Sequence, residues 1–344
     1  MSESVSRRDF LAASTAMLAL GHAPSTFPGD GPPAILRARA ASTVAVSSFN
    51  GLAAIARAVE LADSGADSLD AVVEGIKLQE LDPEDESAGY GGLPNEEGVV
   101  QLDASCIHGP TGRAGAVAAL EGIRTPSEVA KLVLKYTNHT LLVGQGAKRF
   151  ALSYGFKEED LLTERSRRKW LTWRANHDAH DDWTEDGMLA SGSPGAVYLS
   201  VLNRAGDIAS ATSASGPAWK APGRAGTSPV AGAVQYVDND VGAAGSSGSG
   251  EPGMMECGGF ITVEHMRRGV RPTDAALETL KRIVAKAPAR FLMRGGLPRF
   301  SLTLYAVNKR GEFGAASLYP GRYAAHDGRR AAERDSAYLY DKAL

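Results

Sequence analysis

The sequence predicts a layered α+β fold. Strand-like runs occur in groups along the chain, amphipathic helical runs lie between these groups, and no internal repeat is visible. The chain has 344 residues, of which 43% are hydrophobic and 22% charged, which suits one large globular domain or two tightly joined halves. The formal net charge is -3 and the sequence has no long basic run beyond its N-terminus. These features favour neither nucleic acid nor an anionic membrane as a partner.

Residues 1–40 are predicted to be a twin-arginine signal peptide. Arg7 and Arg8 stand in the run Ser-Arg-Arg-Asp-Phe-Leu, and residues 38–40, Ala-Arg-Ala, fit the small-x-small pattern of a cleavage site. The apolar run at 11–20 is shorter than the about 20 residues that a membrane-spanning helix needs. We therefore expect export in the folded state, to a periplasm or beyond, with no membrane association after cleavage.

Apolar spacing and capping residues predict the elements of the first half of the mature chain, residues 41–195. Asn50 is expected to cap the first helix, and four apolar residues recur on one face of the second. A glycine-rich turn at 89–95 separates these helices from the next strand. In order, the predicted elements are a strand at 43–48, a helix from Asn50 to about residue 63, a helix at 68–81, a strand at 99–104, a helix at 126–136 and a short buried strand at 141–143.

Residues 163–194 are predicted to form an exposed linker. Basic residues precede Trp170 and Trp173, an acidic run containing histidines follows, and small, turn-prone residues end the stretch. In the second half, residues 196–344, the predicted elements are a hairpin of strands at 197–202 and 207–212, an amphipathic helix at 273–284 and two closing strands at 301–307 and 313–318.

Two clusters have the residue types of ligand sites without the spacing of a known motif. The histidines and aspartates at 177–182 lie in the polar linker, so a solvated loop is favoured over a metal site. The glycine tract at 242–250 is not followed by the lysine of a nucleotide-binding loop. Cys106 and Cys257 have no metal-ligand spacing and are predicted to be buried thiols. We expect neither a metal nor a cofactor.

Residues 89–105, Gly-Tyr-Gly-Gly-Leu-Pro-Asn-Glu-Glu-Gly-Val-Val-Gln-Leu-Asp-Ala-Ser, resemble the glycosylasparaginase family of N-terminal-nucleophile hydrolases. The Trp219-Lys220 pair resembles this branch more than the plant-type asparaginase and isoaspartyl-peptidase branch. The resemblance covers nearly all of the mature chain and continues at 113–119, 141–144, 212–216, 219–220, 222–226 and 238–243.

This resemblance implies a four-layer αββα sandwich, with two antiparallel sheets between helical layers, in a single domain over 41–344. It also implies a precursor that cuts itself before a threonine. The hydroxyl of that residue then attacks the substrate amide, with its freed α-amine as the base, and an oxyanion hole stabilises the intermediate. The expected substrate is the amide between N-acetylglucosamine and asparagine, followed by free asparagine or an isoaspartyl peptide. A homodimer is left open.

The same resemblance locates the nucleophile position. Matching residues 206–208, Gly-Asp-Ile, to the Gly-x-Ile of the family places the nucleophilic threonine at Ala196. Ala214 stands where the family has a second, supporting threonine. A methyl group cannot attack a carbonyl, so the resemblance predicts an active site that lacks both hydroxyls.

Five further positions are implied to contact a ligand. Arg224 matches the residue that binds the substrate α-carboxylate, for which a guanidinium fork is well suited. Thr227 replaces the aspartate that binds the α-ammonium, which removes a charge-assisted contact of about 1.5–3 kcal/mol and predicts weak selection for free α-amino acids. Ser247 keeps a hydroxyl, Gly248 offers a backbone N–H, and Phe49 replaces a pocket tryptophan. Structural roles are the alternatives: an ion pair for Arg224, a turn for Ser247 and core packing for Phe49.

Three interpretations remain open. The first is an unprocessed, weakly active or inactive homologue that binds a carboxylated ligand or acts as a scaffold, and it accounts for the joint loss at Ala196, Ala214 and Thr227. The second is an engineered precursor, which accounts for Ala196 alone. The third is an active hydrolase with a relocated nucleophile at Ser191 or Ser193, although Ser193 would lie about 10 Å out of register.

Overall fold

The computed structural model describes residues 42–176 and 195–341, which form two β-sheets flanked by helices. In chain order the elements are β1 (Val44–Ser47), α1 (Leu52–Asp63), α2 (Ser68–Leu81), β2 (Gln101–His108), β3 (Arg113–Glu121), α3 (Pro126–Tyr136), β4 (Leu141–Val143), α4 (Gly144–Ser153), α5 (Glu164–Asn176), β5 (Val197–Leu202), β6 (Ile208–Ala214), β7 (Gln235–Asp238), β8 (Gly242–Gly248), α6 (Gly250–Met255), α7 (Gly258–Arg267), α8 (Pro272–Lys286), β9 (Leu302–Asn308), β10 (Phe313–Ser317), β11 (Arg322–His326), β12 (Ala331–Asp335) and β13 (Ala337–Tyr338).

The strands divide into a sheet of eight and a sheet of five. The first has the order β12-β11-β1-β5-β6-β2-β3-β4, and the second has the order β13-β10-β9-β8-β7. Neighbouring strands run antiparallel except at one edge of each sheet, where β4 joins β3 and β13 joins β10 in parallel. The β5–β6 hairpin, which the sequence predicts, lies at the centre of the larger sheet.

The two sheets pack face to face between two helical layers. Helices α1 to α4 cover the larger sheet, with Ile55, Ile76 and Val117 in their shared core. The outer face of the smaller sheet is covered by α7 and α8, through side chains such as Leu280. Between the sheets lies a third core. This is the predicted αββα sandwich, and within the described ranges no helix is long and apolar enough to cross a membrane.

Strand β5 is buried on both faces. Val197, Leu199 and Val201 belong to the core under the helices, whereas Tyr198 and Leu202 point into the core between the sheets. Because side chains alternate along a strand, the residue before Val197 is on the face that looks toward the smaller sheet. The nucleophile position predicted from the sequence is therefore at the interface of the sheets.

A glycine in β8 makes room for the ring of Tyr198. A Cβ at Gly245 would lie 2.1 Å from the ring of Tyr198, so no other residue fits without a shift. The Tyr198 ring stacks on Tyr305 of β9, with centroids 5.8 Å apart and an angle of 13° between the planes. The glycine tract at 242–250 is thus largely a strand inside a sheet and not a phosphate-binding loop.

The predicted linker is wrong in its first part, because α5 occupies 164–176. Side chains distant in sequence hold this helix. Glu86 accepts from Arg165 Nε at 3.0 Å and from Lys169 Nζ at 2.6 Å, and the indole of Trp170 donates to the carbonyl of Glu96 at 3.0 Å. The remaining linker residues, including the cluster at 177–182, Ser191 and Ser193, lie outside the described residues.

Two burial predictions are also wrong. The short strand at 141–143 is the edge strand β4, and the side chain of Val143 is 58% exposed, because no further strand covers it. Both cysteines are free thiols, and Cys106 is buried as predicted, but Cys257 is exposed. Burial raises the pKa of the Cys106 thiol to about 12, so this thiol is inert near neutral pH.

Candidate active site

The predicted nucleophile position and the predicted support position are neighbours. Val197 pairs with Ser213 in the antiparallel β5–β6 register. One step beyond this pair, the same register brings Ala196 beside Ala214, the last residue of β6. Both side chains face the smaller sheet because they continue the alternation of their strands. At both positions the side chain is a methyl group, so neither can supply an oxygen.

Two hydroxyls near the start of β5 form hydrogen bonds with its backbone. Thr212 Oγ1 donates to the carbonyl of Val197 at 2.9 Å. Ser48 Oγ accepts from the N–H of Tyr198 at 3.1 Å and donates to Asn50 Oδ1 at 2.7 Å. An amide oxygen is an acceptor but not a useful base at neutral pH. These contacts hold the strand in place and do not activate a nucleophile.

Backbone atoms of β8 approach the chain directly before Ala196. A Cβ at Gly195 would lie 2.6 Å from the nitrogen of Gly248 and 3.3 Å from Ser247 Cβ. Gly248 itself has φ 109°, and a Cβ there would lie 2.5 Å from the carbonyl oxygen of Ser301. Glycine is therefore required at both residues of this close contact, Gly195 and Gly248. The structure brings the predicted residues Ser247 and Gly248 to the predicted nucleophile position.

A cavity of about 430 Å³ opens beside Gly195 and Ser247. Its wall is rich in hydroxyl groups from β9 and the loop after β10, and Phe49 also lines it. The Phe49 ring is 48% exposed, and the guanidinium of Arg322 lies over it at 5.4 Å from the centroid. Phe49 is therefore a wall residue of this cavity and not a core residue.

The hydroxyls of Ser247 and Tyr305 form a hydrogen bond of 2.6 Å at this cavity. Burial raises the pKa of Tyr305 to about 12, although the bond to Ser247 opposes that rise. A phenol with such a pKa stays protonated near neutral pH, so it cannot take the proton of Ser247. The pair can orient a ligand by hydrogen bonding, but it cannot turn Ser247 into a nucleophile.

Arg224 and Thr227 are not among the residues that line this cavity. The Arg224 guanidinium forms an ion pair with Glu251. Gly250, the residue before Glu251, packs on Thr227, since a Cβ at Gly250 would lie 2.8 Å from Thr227 Oγ1. The predicted carboxylate-binding residue, the predicted ammonium position and Glu251 therefore form one cluster.

Two more charged groups lie beneath this cluster and are buried. Asp103 accepts from the N–H of Ala119 at 2.9 Å and from the N–H of Gly226 at 2.7 Å. Lys220 Nζ donates to the carbonyl of Gln101 at 2.8 Å. Burial, reinforced by the nearby positive charge of Arg224, lowers the pKa of Lys220 to about 8, while Asp103 opposes that change. Both groups position backbone segments under Arg224.

A model of the asparaginase family matches residues 33–321 of this sequence. The chain belongs to the asparaginase family. Its relatives include an N(4)-(beta-N-acetylglucosaminyl)-L-asparaginase of Elizabethkingia miricola, 38% identical over 296 residues, which cover 83% of this chain and 81% of that protein. A protein of Arabidopsis thaliana named as a probable isoaspartyl peptidase/L-asparaginase is 31% identical over 310 residues, covering 79% of this chain and 84% of that protein.

This family membership confirms the resemblance seen in the sequence, and with it a relationship to hydrolases of the N-terminal-nucleophile superfamily. The individual roles of Ala196, Ala214, Arg224 and the residues around them remain predictions. In the described ranges, 42–176 and 195–341, no group of three or more His, Cys, Asp or Glu side chains could hold a metal ion.

Sequence reasoning missed Glu251 and Tyr305. Glu251 follows the glycine tract, where it reads as an ordinary exposed residue of a helix, and Tyr305 stands in an apolar strand pattern. Their partners are Arg224, 27 residues away, and Ser247, 58 residues away. The only available signal was the retained arginine, since a partly buried cation needs a nearby anion or a ligand.

Proposed function

We propose that this chain is an exported, unprocessed member of the asparaginase family that binds a small carboxylated ligand and hydrolyses amides weakly or not at all. The proposal is supported chiefly by one observation, the register of β5 and β6. Since Val197 pairs with Ser213, the two positions that the family resemblance assigns to threonine lie side by side, and both are alanine.

Self-cleavage and amide hydrolysis in such a site begin with the same oxygen. The hydroxyl first attacks the carbonyl of the preceding residue, and after cleavage it attacks the substrate with the new α-amine as its base. Ala196 removes this oxygen, and an uncut chain never exposes the α-amine. Thr212 and Ser48, two hydroxyl residues beside the start of β5, already form hydrogen bonds with its backbone.

Features that would bind a ligand are retained. The Arg224 side chain is 21% exposed and suits a carboxylate. The backbone of Gly248 and the Cβ of Ser247 lie against Gly195, and the adjoining cavity is within the size range of small-molecule sites. The relatives are named as enzymes that act on asparagine derivatives and isoaspartyl peptides, and we extend that substrate class to the ligand of this chain.

Export is proposed from the twin-arginine motif at Arg7 and Arg8. The exported protein would be the single domain 41–344, free of the membrane, and its ligand would be a small molecule and not a nucleic acid.

The proposal is tested by the intact mass of the protein purified from the exported fraction, under denaturing conditions. We expect one polypeptide that begins near residue 41 and continues uncut through Gly195–Ala196. Two fragments joined near this point, together with robust release of ammonia from asparagine or of aspartate from an isoaspartyl dipeptide, would instead support an active hydrolase with a relocated nucleophile. A mass that still includes residues 1–40 would count against export.

A further inference from the structure

The carboxylate of Glu251 is paired with Arg224, in the cluster that also contains Thr227. We propose that Glu251 binds the α-ammonium of an amino-acid ligand whose α-carboxylate binds Arg224, in place of the aspartate that Thr227 replaces. This inference rests on the proposed function, because it specifies the ligand of the same site as a zwitterionic α-amino acid.

Glu251 contacts Arg224, and the residue before it contacts Thr227. Its carboxylate forms an ion pair with Nη2 of Arg224. The preceding residue, Gly250, is in close contact with the Thr227 side chain, since a Cβ there would lie 2.7 Å from Thr227 Cγ2. Glu251, at the start of α6, thus places a carboxylate in the cluster that contains Arg224 and Thr227.

The other charged groups of the cluster, Asp103 and Lys220, already form hydrogen bonds with the protein backbone. Both carboxylate oxygens of Asp103 accept backbone N–H groups, and Asp103 is fully buried. Lys220 is 4% exposed and donates to the carbonyl of Gln101. Neither group can approach a ligand without breaking these hydrogen bonds.

The solvent-accessible charges are therefore Arg224 and Glu251. Their side chains are 21% and 33% exposed, and they present one positive and one negative charge side by side. An α-amino acid carries the complementary pair, a carboxylate and an ammonium group separated by one carbon atom. A guanidinium has five N–H donors, so Arg224 can hold a ligand carboxylate while it keeps its contact with Glu251.

In the alternative role, Glu251 only neutralises the charge of Arg224. Its carboxylate would then compete with a ligand carboxylate for the Arg224 guanidinium. The two roles make opposite predictions for ligands that differ only in the ammonium group. L-aspartate and succinate form such a pair, because succinate is aspartate without its amine. The preference for L-aspartate over succinate therefore measures the ammonium contact.

The experiment is calorimetric titration of the full exported chain with L-aspartate and with succinate. We expect Glu251→Gln to weaken the binding of L-aspartate about tenfold or more, as for loss of a charge-assisted contact, and to leave succinate unchanged or bound more tightly. Glu251→Asp keeps the charge and should retain part of the preference for L-aspartate. Arg224→Ala should weaken both ligands.

The matched control is Glu256→Gln, which removes a carboxylate just beyond the same short helix, where it pairs with Arg282 at 2.8 Å and not with Arg224. It should leave both affinities unchanged. Equal effects of Glu251→Gln on the two ligands, or tighter binding of both, would overturn the role of Glu251 and leave the proposed function intact. Failure of the wild-type protein to bind either ligand would remove the proposed function and this inference together.

Discussion

Val197 on β5 pairs with Ser213 on β6, and this register makes Ala196 and Ala214 cross-strand neighbours at the interface of the two sheets. Cross-strand side chains on one face of a sheet lie within about 4.5–5.5 Å of each other at Cβ. Hydroxyls at these two positions could hydrogen-bond, whereas two methyl groups can only pack. The loss of one hydroxyl therefore changes the surroundings of the other position as well.

Restoring one hydroxyl is expected to restore little self-cleavage. In Ala196→Thr the new hydroxyl would lack its cross-strand partner, so the chain should cut slowly or incompletely. Adding Ala214→Thr should speed the cut about tenfold or more, because a well-placed hydrogen bond to the reacting group lowers the barrier by about 1.5 kcal/mol or more. The fraction of cut chain is followed over time on denaturing gels.

Ala196→Val is the matched control, because valine has the shape of threonine without its oxygen. It should leave the chain whole, both alone and together with Ala214→Thr. If Ala196→Thr by itself produced rapid and complete cutting with full amidase activity, the site would be intact apart from one atom, and the alanine would then be better explained as an introduced change.

Local sequence signals predicted several elements to the residue. Helix α2 spans Ser68–Leu81, and its N-cap Asp67 accepts from the N–H of Leu69 at 2.8 Å. Helix α3 begins at Pro126, the position where proline is best tolerated in a helix. Apolar periodicity and a helix-opening proline are local signals, so one sequence is enough to recognise them. The predicted cap Asn50 is wrong, because it lies in a short 3-10 turn and the N-cap residue of α1 is Gly51.

Elements and contacts that depend on distant residues could not be predicted in this way. Helix α5 is polar and reads as a linker, but Arg165 and Lys169 bind Glu86, which is 79 and 83 residues away. The residues of the candidate site also fall into those that the sequence could predict and those that it could not. The resemblance located Ala196 and Ala214, whereas the pairing of Arg224 with Glu251 depends on how the chain returns after β8.

Gly245→Ala is expected to destabilise the fold. The added Cβ would meet the ring of Tyr198 at 2.1 Å, so the tyrosine or the sheet must shift. Overpacking of this kind typically costs about 1–3 kcal/mol in the free energy of unfolding. Urea unfolding of the purified variant gives that free energy directly.

Gly146→Ala is the control for this substitution, since Gly146 lies in α4 and a Cβ there meets nothing within 4 Å. It should be neutral or stabilising by about 0.5–1 kcal/mol. In addition, Tyr198→Leu should relieve the clash, so the double variant should lose less stability than the sum of the two single variants. A Gly245→Ala protein as stable as the wild type would show that the two sheets are not tightly packed at Tyr198.

Glu80, at the end of α2, is expected to make the fold less stable as the pH rises through the weakly acidic range. Burial raises its pKa from 4.5 to about 7, although hydrogen bonds from Ser127 oppose the rise. Its oxygens accept from the N–H of Ser127 at 2.9 Å and from its hydroxyl at 2.7 Å. At a pH between 4.5 and about 7, Glu80 keeps its proton in the folded chain but has released it in the unfolded chain. Stability that is fully present below pH 4.5 is therefore lost as the pH rises to about 7.

The difference between the two pKa values corresponds to roughly 3 kcal/mol in the free energy of unfolding. Glu80→Gln keeps an acceptor for Ser127 but has no proton to lose, so its urea-unfolding curves should change less between about pH 5 and about pH 8 than those of the wild type. Glu60→Gln, on the exposed face of α1, removes a carboxylate whose partner is Arg57 and should leave the wild-type pH dependence unchanged. The same pH dependence in Glu80→Gln as in the wild type would mean that this carboxyl is ionised in the folded chain, stabilised by Ser127 despite its burial.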